Sequence, residues 1–85
     1  MSFQKYKNVI DAVYYASYEV MKTDKTEEDL KHTRTYSRGE IDGISSCVSM
    51  NDDITYEEKE QLELYCVAIK EKISINYSNL LRKIT

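Results

Sequence analysis

The chain has 85 residues, of which 41% are hydrophobic and 32% charged, and its formal net charge is −3. A chain this short supplies one core and buries only about 60–65% of its unfolded surface, which reads as one domain over residues 1–85 that gains from association. Two cysteines and one histidine exclude a structural zinc site within one chain, and no run of residues is apolar enough for a membrane span, so no metal, no cofactor and no membrane contact are expected.

Residues 3–22 carry Phe3, Tyr6, Ile10, Val13 and Val20 on one helical stripe, with Ser17 filling its gap, and predict the first helix. In "KTDKTEEDL" either Asp24 or Thr26 supplies an amino-terminal cap, and Glu27, Glu28 and Asp29 complement the positive end of a second helix dipole. That helix is predicted over 26–38. Gly39 closes it, and "SRGE" reads as a capping box that starts a third helix over 40–50, with Ile41, Ile44 and Val48 inward. One continuous helix from 26 to 50 is the alternative, with a cost of about 1 kcal/mol for each interior glycine.

"NDD" then reads as a turn, and Thr55 with Glu58 as a further capping box opening a last helix over 56–83. Leu62, Cys66, Ile69, Ile73 and Leu80 share its stripe, with Asn76 set into it. The segment "KISINYSN" weakens the pattern and predicts fraying or a kink. The fold class is therefore all-α, a small bundle of three or four helices with short connections. Its predicted core contains Ile10, Val13, Val20, Leu30, Ile41, Ile44, Val48, Leu62, Cys66, Ile69 and Ile73. Cys47 and Cys66 both read as small buried hydrophobes rather than ligands.

Three clusters are candidates for binding. Lys31, Arg34 and Arg38 align on one face of the second helix, with His32 and Tyr36 beside them. Cations flanked by stacking rings suit unpaired RNA or single-stranded DNA; a solvated face, with Glu27 paired to Lys31, is the plainer reading. Asp52, Asp53, Glu57 and Glu60 form an acidic surface that could imitate a phosphate backbone, although Asp52 and Asp53 also suit a turn and Glu57 a first helical turn. "VYYASY" places Tyr14, Tyr15 and Tyr18 around the first helix, more aromatic surface than one small chain covers.

Phosphate-binding glycine loops, nucleophile elbows and a histidine spaced to serve a nucleophile are all missing from the sequence. The expectation is a non-enzymatic cytoplasmic protein that occupies a macromolecular partner, in the manner of an inhibitor, an antitoxin-like factor or a phage-type anti-defence or accessory factor. A protein target bound through Tyr14, Tyr15 and Tyr18 comes first, an RNA-binding role through the cationic face second, and an acidic mimic third. A homodimer is expected for so small a core.

Overall fold

The computed structural model describes residues 2–85, which form three α-helices in chain order: α1 (Phe3–Thr23), α2 (Glu27–Met50) and α3 (Tyr56–Ile84). No strand occurs among the described residues. Ser2 caps α1 by accepting the Lys5 amide at 3.3 Å. Of the two candidate caps for α2, Thr26 performs the task, accepting from the Asp29 amide at 3.1 Å. Asp24 instead closes α1, its amide donating to the Val20 and Met21 carbonyls. Thr55 and Glu58 form the predicted capping box of α3.

The buried stripe of α1 is Tyr6, Ile10, Ser17 and Met21. Val20, assigned to the core from sequence, is 48% exposed, while Met21 is 1% exposed. Helical phase explains the exchange. Eleven residues complete just over three whole turns, so Met21 lies within about 20° of Ile10, whereas Val20 lies about 80° away. Ser17 tolerates burial because its hydroxyl donates to the Tyr14 carbonyl at 2.7 Å.

The predicted break at Gly39 does not occur, because α2 runs unbroken from Glu27 to Met50 and neither glycine has a positive φ. Ser37, read as the cap of a third helix, is 3% exposed and faces inward. Leu30, Ser37, Ile41 and Val48 fall within about 20° of one line only if the helix is continuous. Keeping three apolar side chains on that line is worth about 1.5–3 kcal/mol each, which exceeds the roughly 2 kcal/mol lost to two interior glycines. The helix α3 likewise continues through "KISINYSN". Ile73 is fully buried and Tyr77 packs against the core, so tertiary burial outweighs the poor helix propensity of the serines and asparagines.

The helices run up, down and up, joined by the short connections 24–26 and 51–55. The molecule measures 45 × 16 × 16 Å with a radius of gyration of 14.0 Å, against about 12 Å for a compact chain of this length. Its core is one continuous line of apolar side chains along the bundle axis. Ile10, Leu30, Ile41, Val48, Leu62, Cys66, Ile69 and Ile73 are buried as the sequence predicts, joined by Tyr6, Met21 and Ile54. Val13 and Ile44 pack on this line but remain half-buried.

Candidate binding grooves

Three helices in a triangle leave three outward seams, and each seam here has its own chemistry. The α2/α3 seam is polar. The Arg34 guanidinium lies 4.3 Å from the Tyr77 ring centre, Arg38 donates to the Ser74 hydroxyl, and Lys70 pairs with Asp42 at 2.7 Å. Nearer the 51–55 turn, Lys59 donates to the Ser49 carbonyl at 3.1 Å.

Tyrosines close the α1/α3 seam. The Tyr65 phenol donates to Asp11, the Asn76 amide donates to the Tyr14 hydroxyl at 3.1 Å, and the Lys7 ammonium lies 5.1 Å from the Tyr65 ring centre. Asn76, which interrupts the apolar stripe of α3, is thus the partner of a half-buried phenol.

The α1/α2 seam differs from both. Polar ties hold its two ends: Thr33 donates to Asp24 at 2.8 Å, and the Asn51 amide donates to the Tyr6 hydroxyl at 2.7 Å. Between them an open groove is walled by Val9, Val13, Ala16 and Val20 from α1 and by Tyr36, Glu40, Gly43 and Cys47 from α2. It contains adjoining depressions of about 540 and 300 Å³ that meet at Glu40. Both walls advance in steps of four, three and four residues, the spacing of a helix-packing seam. The walls span three turns, about 16 Å.

The structure separates the residues of the predicted cationic site. Arg34 and Arg38 turn toward α3 and are engaged there, whereas His32 and Tyr36 border the α1/α2 groove. Lys31 is exposed, and Glu27 and Lys31 do not pair; the ion pairs among the described residues are Glu19–Lys22 and Asp42–Lys70. Tyr14 belongs to the α1/α3 seam, its ring meeting that of Tyr15 edge-on at 5.4 Å. Tyr15 remains 65% exposed, and Tyr18 lies beneath the Lys22 ammonium. Asp52, Asp53, Glu57 and Glu60 are all exposed around the 51–55 turn and the start of α3.

Sequence reasoning missed the apolar groove, although its signal was present. Val9, Val13, Ala16 and Val20 form a second stripe on α1, and two of its members had been assigned to the core. The paired reading of the cysteines also divides. Cys66 is buried, and burial pushes its thiol pKa up, while Cys47 is exposed on the groove wall.

The described side chains contain no group of histidine, cysteine and carboxylate residues that could hold a metal ion, and no helix is long and apolar enough to cross a membrane. No protein-family model, curated protein or solved structure matches this chain.

Proposed function

We propose that this protein is a non-enzymatic binding module that acts by occupying a protein partner, in the manner of an inhibitor or accessory factor. The open apolar groove between α1 and α2 carries the reading. Its walls expose Val9, Val20 and Tyr36 at 38%, 48% and 65%, a clustering of apolar side chains that favours a packed partner over water. Rigid helices present it, which keeps the entropic cost of engagement low. Tyr15 and Tyr18 lie on the opposite flank of α1 and offer a second contact area for a large partner.

Affinity capture from the native cells with wild-type, V20D and Y15A baits tests the proposal. Val20 is half-exposed, so V20D places a charge in the groove while leaving the core intact. The expected result is a stoichiometric protein partner that V20D loses and Y15A retains or weakens. A partner that V20D retains and Y15A loses would move the site to the tyrosines. Nucleic acid captured instead, and lost in an R34E/R38E variant, would establish the cationic reading.

A further inference from the structure

The occupant of the α1/α2 groove can be specified further, in an inference that rests on the binding role proposed above. We infer that the groove accepts an amphipathic helix from another protein, carrying a lysine or arginine midway along its apolar stripe.

The shape of the groove indicates a helix. Its walls are two parallel rows of side chains with four-three-four spacing over about three turns, which a third row of the same spacing fills by interdigitation. The walls are low where such a helix would cross. Ala16 and Gly43 contribute almost no side chain, and a Cβ built at Gly43 would meet nothing within 4 Å. The packing within the chain leaves open space over Gly43, as it does over Gly39; at Gly43 that space lies on the groove wall, where it admits the backbone of an external helix closely.

Charge identifies the occupant more narrowly. Among the described residues, Glu40 is the one acidic side chain on the groove walls, it sits where the two depressions meet, and neither lysine nor arginine lines them. It belongs to no ion pair among the described residues, and the residues three and four positions away are Tyr36, Ser37, Gly43 and Ile44, none a cation. Covering the groove with a purely apolar helix would desolvate Glu40 without compensation, whereas a cation at the matching position would retain a charged partner. The same argument weighs against a second copy of this chain. Two-fold pairing of the groove with itself would bring the central Glu40 of each copy together.

Two synthetic helical peptides of about 15 residues test this inference. Each carries leucines in four-three-four spacing on an alanine and glutamine background, with either lysine or glutamate at the central stripe position. Binding to the full chain is followed by amide chemical shifts and by calorimetry at low salt. The lysine peptide should bind about tenfold more tightly than the glutamate peptide, and the amides of Val9, Ala16, Val20, Gly43 and Cys47 should shift. The preference should disappear in E40Q, and binding of both peptides should disappear in G43L, whose melting temperature checks its folding. Equal binding of both peptides in the groove would overturn the requirement for a cation while leaving the binding role intact. Unmoved groove amides with the lysine peptide at millimolar concentration would overturn the helix itself. Groove shifts that appear on concentrating the protein alone, together with dimer formation on sedimentation, would overturn the foreign partner in favour of a second copy. The capture experiment with V20D decides the underlying role independently of all three.

Discussion

The Tyr65 phenol donates to the Asp11 carboxylate, and this bond, followed by burial and by electrostatic coupling to the acidic groups of Asp11 and Tyr15, pushes the phenol pKa up to about 12. The fold therefore favours the neutral phenol over its ionised form. The resulting stability is fully present below the ordinary tyrosine value near pH 10 and is lost as pH rises from about 10 to about 12. A phenolate absorbance titration should show one late step near pH 12 that moves earlier in D11A. Gly39 gives an independent check, since it is exposed, has no positive φ, and a Cβ there would meet nothing within 4 Å. G39A should stabilise the protein by about 0.5–1 kcal/mol, which corresponds to a rise of several degrees in thermal midpoint for a domain of this size.

Each helix combines a local start signal with one buried line, and the two contribute differently. Removing the α3 capping box with T55A should cost about 1 kcal/mol, measured by urea denaturation. Truncating Ile41, which is fully buried, should cost about 2–5 kcal/mol, a large part of the stability of so small a domain. The sharpest comparison lies on α1, where neighbouring residues exchange the roles that sequence assigned them. M21A should destabilise by about 2 kcal/mol or more, while V20A should change stability by less than about 0.5 kcal/mol. Equal losses would place both side chains inside the core and contradict the observed phase of α1. The caps of α2 and α3 were legible because they depend on residues three positions apart. The continuity of α2 was not, since "SRGE" satisfies a local capping rule that burial of Ser37 beside Ile41 overrides.

Across the molecule, an up-down-up path with short turns makes most contacts local, and the chain contains no proline. Refolding should therefore finish within microseconds to milliseconds, with no slow isomerisation phase in stopped-flow or temperature-jump records. The polar seams, α2/α3 through Arg34 and Arg38 and α1/α3 through Tyr14 and Tyr65, link residues distant in sequence, so their pairings could not be read from spacing. Sequence had joined Lys31, His32, Arg34, Tyr36 and Arg38 into one site because they are neighbours on one helix. The third helix draws two of them inward and leaves His32 and Tyr36 beside a different seam. Helical class, the start signals of α2 and α3 and most of the buried line were readable from residue type and period alone, because those features depend on contacts within a few residues. The choice between the two apolar stripes of α1 belonged to packing. Three helices around one axis cover the stripe of Tyr6, Ile10, Ser17 and Met21, and leave that of Val9, Val13, Ala16 and Val20 as the wall of an open groove.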